Sequence, residues 1–129
     1  YALQNKMNYT QIKNKAGEFV SPNVASFKAA AAGGDWAKAT DFYLILTNAD
    51  GKKSWPIAGS TFILMHKTAE KEEQSKEAIK FFKWAYLKGE NMANELNYVP
   101  LPSAVTKLVE KTWTAQIKTA KGTPITQGL

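Results

Sequence analysis

The chain has 129 residues, 44% hydrophobic and 22% charged, a length and balance that suit one soluble globular core and exclude both wholesale disorder and two independent domains. Its formal charge of +6 comes from lysine alone, and its aromatic residues lie at core spacing, not interleaved with the lysines; base and phosphate recognition favours arginine's bidentate fork, so nucleic acid is excluded as a partner. Cysteine is absent, which removes disulfides, thiolate catalysis and cysteine-based metal sites.

In chain order, Tyr1 to Asn8 reads as the tail of a helix whose beginning lies elsewhere, with Leu3 and Met7 on one face. A non-methionine start on such a tail leads us to expect a piece of a longer protein. Tyr9 to Lys13 alternates like a short strand, Asn14-Lys15-Ala16-Gly17 is turn chemistry, and Glu18-Phe19-Val20 returns as a second strand of a surface hairpin. Ser21-Pro22 predicts a helix start, with the serine as cap and the proline in the first helical position. Val24, Phe27 and Ala31 follow at helical spacing. Gly33-Gly34 is expected to end that helix in a left-handed conformation; the pair follows a helix, where a phosphate cradle would precede one.

Phe42 to Thr47 is expected to be extended, and Asn48 to Lys53 is a polar turn. Next comes Ser54 to His66, the stretch around which the chain is arranged. Trp55 is pushed out of the helical region by Pro56, whose own φ is fixed, and the run Thr61 to His66 is rich in β-formers. Pattern alone allows a buried strand or a passage from one lobe to another. No uninterrupted apolar run, neither Phe62 to Met65 nor the slightly longer Phe42 to Leu46, comes near the about 20 residues a membrane span needs.

Ser75 to Lys88 is the clearest helix: Ala78, Ile79, Phe82, Ala85 and Tyr86 make one apolar stripe, and Gly89 stops it. A short helix over Glu90 to Leu96 is broken by Pro100 and Pro102. A last helix runs from about Pro102 to about Ile117, burying Val105, Leu108, Val109, Thr112, Trp113 and Gln116 or Ile117. Lys118 to Leu129 reads as a polar, frayed tail.

Catalytic constellations are absent from this pattern. His66 is the only histidine and reads as a strand-end residue; Ser60 lacks the G-x-S-x-G elbow that would present a nucleophile. Glu70, Glu72, Glu73 and Glu77 sit among lysines, where helix-face pairing is their expected role. No enzymatic activity, metal or cofactor is expected.

Three blocks carry a resemblance: Trp55-Pro56-Ile57 with Ser60 to Lys67, Phe81-Phe82-Lys83-Trp84-Ala85-Tyr86, and Tyr98-Val99-Pro100-Leu101-Pro102. In order and spacing they resemble the C-terminal part of the periplasmic phosphate-binding proteins of bacterial phosphate ABC transporters, the PstS type. Tyr1-Ala2, the Ser21-Pro22 helix and Asp35-Trp36 fit as well, so nearly the whole chain is covered. The resemblance implies an α/β, type II periplasmic binding-protein fold of two lobes joined by a hinge. Residues 1–56 would end the second lobe and 57–129 would complete the first, with Trp55, Pro56, Ile57, Gly59 and Ser60 at the hinge and Thr61 to His66 a strand entered directly from it. Pro56 supplies a stiff position and Gly59 a permissive one.

The resemblance further implies inorganic phosphate as ligand, the N-terminal portion of the same protein and an ABC permease as partners, and a periplasmic or lipid-anchored location that meets the membrane only through the transporter. The family's anion contacts, including an arginine, lie upstream of Tyr1, so no phosphate-binding residue is assigned to this chain. An alternative is a secreted or surface interaction module on the same scaffold, its lysine-rich face meeting an acidic partner.

Overall fold

A computed structural model describes all residues from Tyr1 to Leu129. It is α/β with few and very short strands: β1 (Ile12–Lys13), β2 (Phe19–Val20), α1 (Val24–Ala32), a 3-10 turn (Thr40–Phe42), β3 (Thr68–Ala69), α2 (Glu72–Lys88), α3 (Glu90–Glu95), α4 (Ser103–Gln116) and β4 (Lys118–Thr119). The chain divides into two compact units. One gathers residues 1–61 and 93–102, the other 62–92 and 103–129.

In the first unit β1 and β2 pair antiparallel with Ile12 opposite Val20, the hairpin expected from the sequence. The following helix starts two residues later than Ser21-Pro22 suggests. Asn23 is the cap, its Oδ1 accepting from the Ser26 N–H at 2.9 Å while Ser26 Oγ accepts from the Asn23 N–H at 3.1 Å. Reciprocal capping satisfies two otherwise orphaned donors, which Ser21 with a following proline cannot do. Ser21 contributes its carbonyl instead, accepting from Ser26 Oγ–H at 2.6 Å.

The helix does end at Gly33, although the reason for glycine differs from the one the sequence suggests. Gly33 is right-handed, at φ −73°. A Cβ there would stand 2.7 Å from the Asp50 carbonyl oxygen, and one on Gly34 would run into the Leu44 side chain. Close approach, not backbone handedness, demands the pair. Trp36 is buried beside them and donates its indole N–H to the Ala31 carbonyl at 2.7 Å, filling one of the acceptors a helix end leaves open.

Beyond the 3-10 turn the chain is extended at Tyr43, and burial alternates from exposed Tyr43 to buried Leu46. Of the stretch Phe42 to Thr47 expected to be extended, Phe42 closes the 3-10 turn at φ 60° instead, and the residues after it have no ladder partner and form no strand. The same holds for Thr61 to His66, where a strand was expected: the backbone pairs with nothing, and Leu64 is 94% exposed.

The second unit is built on a core of Ala69, Ile79, Ile117 and Ile125, with Met65, Trp113 and Leu129 packed against it. β3 and β4 run parallel, Thr68 opposite Lys118 and Ala69 opposite Thr119. The amphipathic helix α2 supplies Ile79 and begins at Glu72, a turn earlier than Ser75; Glu72 and Glu73 in its first turn favour that start by complementing the helix dipole. On α4, Val105 is buried, and the Trp113 ring stacks on Tyr86 of α2 at 5.8 Å and 12°.

The C-terminal stretch is no frayed tail. After β4 the chain turns at Gly122, φ 80°, and doubles back so that Ile125 N–H donates to the Ile117 carbonyl at 3.0 Å. Thr119 Oγ1 accepts from the N–H groups of Lys121 and Thr123 at 3.2 and 3.3 Å, fixing the turn. Two isoleucines flanking Gly122 and Pro124 thereby become core, and Ile125 is fully buried.

Ile125→Ala should therefore cost about 3 kcal/mol in denaturant unfolding, whereas Gln127→Ala, on an exposed side chain, should change stability by less than about 0.5 kcal/mol. Burial raises the Tyr86 phenol pKa above its ordinary value, and the Glu110 carboxylate adds to the shift. The folded state then holds this proton more tightly than the unfolded one, so stability present below the ordinary tyrosine value of about 10 is lost as pH rises through the folded value. Unfolding followed from pH 8 to 12 should show that alkaline loss, reduced in Tyr86→Phe, which keeps the ring stack.

Candidate functional site

The stretch Trp55 to Ser60, where the sequence led us to expect a hinge, is prepared by the residues before it, and the preparation begins at Asn14. Its Oδ1 accepts from the N–H groups of Ala16 and Glu18 at 3.1 and 3.0 Å, closing the β1–β2 turn. Its amide nitrogen donates to the carbonyls of Lys52, Ser54 and Gly51 at 2.9, 3.2 and 3.3 Å. One side chain, 6% exposed, thus joins the hairpin to a loop nearly forty residues later. Asparagine alone among small side chains offers a donor pair and an acceptor on one rigid plane.

The loop holds its own shape as well. Ser54 Oγ–H donates to the Asp50 carbonyl at 2.7 Å, and a Cβ on Gly51, whose φ is 117°, would come within 2.9 Å of that hydroxyl. Lys15 Nζ reaches Asp50 Oδ1 at 2.6 Å, but both side chains are well exposed and the pair adds little.

The next residues are tied down in turn. Trp55 N–H donates to the Ser26 carbonyl in α1 at 3.1 Å, its ring lies 6.0 Å from that of Phe27, and the Pro56 carbonyl accepts from the Asn48 N–H at 2.8 Å. Trp55, Pro56 and Ala58 are all buried. Beyond them the restraint falls away. Ile57 is 63% exposed, Gly59 is exposed with nothing within 4 Å of where a Cβ would stand, and Ser60 is half-buried. The change from one compact unit to the other comes directly after, between Thr61 and Phe62.

The five residues singled out in the sequence therefore divide into an anchored pair, Trp55 and Pro56, and a looser group of Ile57, Gly59 and Ser60. Such an arrangement has mechanical use, since a fixed end followed by a glycine can absorb a change in backbone torsion. It offers no nucleophile with a base. His66 is exposed, and no group of three metal-ligating side chains exists. Every buried side-chain nitrogen and oxygen already has a hydrogen-bond partner.

The surface charges pair locally. Lys38 holds the Asp35 carboxyl below its ordinary value through a hydrogen bond at 2.9 Å, and Asp35 in turn raises the Lys38 ammonium. On α2, Lys76 meets Glu73 at 3.3 Å and Lys80 meets Glu77 at 2.6 Å, the helix-face pairs the spacing led us to expect. Asn14 and Ser54 are the residues sequence reasoning missed. A turn signature identifies Asn14 as local, and nothing in it reports a partner so far along the chain.

No protein-family model matches the chain. The sequence is nonetheless homologous to the C-terminal part of bacterial phosphate-binding proteins, in agreement with the resemblance of its motifs. Its relatives include the phosphate-binding protein PstS of Xylella fastidiosa strain 9a5c, 48% identical over 118 residues that make up 92% of this chain and 32% of that protein. The PstS of Pasteurella multocida is 43% identical over 98% of this chain and 37% of its own length, and that of Haemophilus influenzae 40% identical over 92% and 35%. The chain spans about a third of the length of the curated relatives it matches.

Asn14→Ala should destabilise the protein by about 3 kcal/mol, because buried carbonyl and N–H groups lose partners that water cannot fully replace. Asn14→Asp should be no milder, since a carboxylate oxygen would then face the carbonyls of Lys52 and Ser54; denaturant melts of both variants give the measurement.

Proposed function

We propose that the protein is the phosphate-binding subunit of an ABC-type phosphate importer, capturing inorganic phosphate between two lobes of a type II periplasmic binding-protein fold and presenting it to a membrane permease. The observation that carries this reading is the 40–48% identity to proteins named phosphate-binding PstS along 92–98% of the chain. Identity spread over nearly every element argues for a shared whole, not a borrowed motif.

In this reading the chain supplies walls and a hinge while upstream residues of the same protein grip the anion. The lack of arginine supports that division of labour, as does the internal use of the buried polar groups: Asn14, Ser26, Ser54 and Thr119 all bond within the chain. Residues 1–56 would belong to one lobe and 57–129 to the other, and the passage from pinned Trp55 and Pro56 to unencumbered Gly59 is suited to bending between them. Binding without turnover, outside the cytoplasmic membrane and free in a periplasm or held by a lipid, follows from the same reading.

Calorimetry on the complete protein, unfolded and refolded to strip endogenous ligand, should show heat of binding with inorganic phosphate. Small-angle scattering should show a smaller radius of gyration when phosphate is bound. A calorimetric trace indistinguishable from buffer dilution would overturn the assignment.

A further inference from the structure

Asn14 does more than hold a hairpin to a loop, because it also decides which charges stand together. By donating to the carbonyls of Gly51, Lys52 and Ser54 it lays the backbone of that loop against the β1–β2 turn. Lys13 and Lys15 are thereby brought to the same patch of the first unit as Lys52 and Lys53, and all four are exposed. Lys15 meets Asp50 at 2.6 Å, whereas Lys13, Lys52 and Lys53 enter no ion pair. Glu18 is the one other carboxylate in the two segments. Helix α2 answers its lysines differently, setting Glu73 and Glu77 one turn before Lys76 and Lys80.

The same patch carries an aromatic ring. Directly opposite residues of an antiparallel pair share a face, so Phe19 stands beside Lys13, while half-buried Ile12 and Val20 occupy the other face. Phe19 is 66% exposed, and its ring therefore adds little to the cohesion of its own unit. The chemistry of the charges narrows the partner. Protein interfaces are rich in arginine and poor in lysine, and this chain has no arginine, so an acidic protein surface is a poor match. Lysine attracts a surface of acidic lipid headgroups without needing fixed geometry, and a ring beside such charges can enter the boundary between headgroups and acyl chains.

We propose that the β1–β2 turn and the 51–54 loop form a contact for anionic lipid headgroups, with Lys13, Lys52 and Lys53 supplying the charge and Phe19 the inserting ring. Three lysines and one ring make a weak, reversible contact and not an anchor. The proposal does not depend on which ligand the protein binds.

Co-sedimentation of the complete protein with vesicles tests it. Vesicles of phosphatidylcholine mixed with phosphatidylglycerol should carry the protein down, and vesicles of phosphatidylcholine alone should not. Raising the salt from about 0.1 M to about 1 M, which shortens the screening length from about 10 Å to about 3 Å, should release it. Lys52→Gln together with Lys53→Gln should weaken the partition about twentyfold, and Phe19→Ser about fivefold. Lys107→Gln together with Lys111→Gln, an equal loss of charge at exposed positions on α4, should change it less than about twofold. Failure to sediment with the anionic vesicles overturns the proposal, as does equal binding to both compositions. Equal losses from the two double variants also overturn it, in favour of attraction by net charge alone. The four lysines replaced are exposed and Asn14 is left in place, so these variants retain the fold.

Discussion

Asn14 carries the first unit. A hairpin of two-residue strands has almost no ladder to hold it, and a loop of polar residues such as Asn48 to Lys53 has no core of its own. Five hydrogen bonds from one buried amide convert these two weak pieces into one body. Everything after depends on that union, because Ser54 leads straight into Trp55, and Trp55 is the residue that clips the stretch to α1. The electrostatic quality of the site matters as much as its geometry: in a low-dielectric surrounding the bonds strengthen, and each missing partner would cost correspondingly more.

The second unit follows a different logic. Its centre is a small set of aliphatic side chains from four places in the chain: Ala69 from β3, Ile79 from α2, Ile117 after α4 and Ile125 beyond the last turn. None of these is large, and the cohesion comes from convergence. Aromatic side chains lie further out, where Tyr86 and Trp113 stack between the two long helices. A core so small also explains why much of α2 still shows apolar side chains to solvent.

Local chemistry in the sequence was enough to locate α1 to α4, but the helix tail expected over Tyr1 to Asn8 is a series of turns. Periodicity located α2 and α4 because their stripes repeat over several turns, and Gly33 and Gly89 marked real ends. Legibility failed where distant partners decide the outcome. Ser21-Pro22 looked like a start until Asn23 and Ser26 satisfied each other. Thr61 to His66 has strand composition, but a strand also needs a neighbour, and here the segment pairs with none. The tail misled for a related reason: its lysines and threonines mask two isoleucines, whose burial depends on a turn that brings the chain back on itself. Between Trp55 and Ser60, Trp55 and Pro56 could be read as stiff from their own φ preferences, whereas the hydrogen bonds that immobilise them come from Ser26 and Asn48.

The order of segments along the chain has a bearing on biosynthesis. Because residues 93–102 join a unit otherwise made of residues 1–61, that unit is interrupted by everything from Phe62 to Met92. A ribosome must release the intervening helix before the earlier unit can be finished, and closing so long an excursion delays its completion through lost chain entropy. The emerging polypeptide consequently passes through a period in which neither unit is whole.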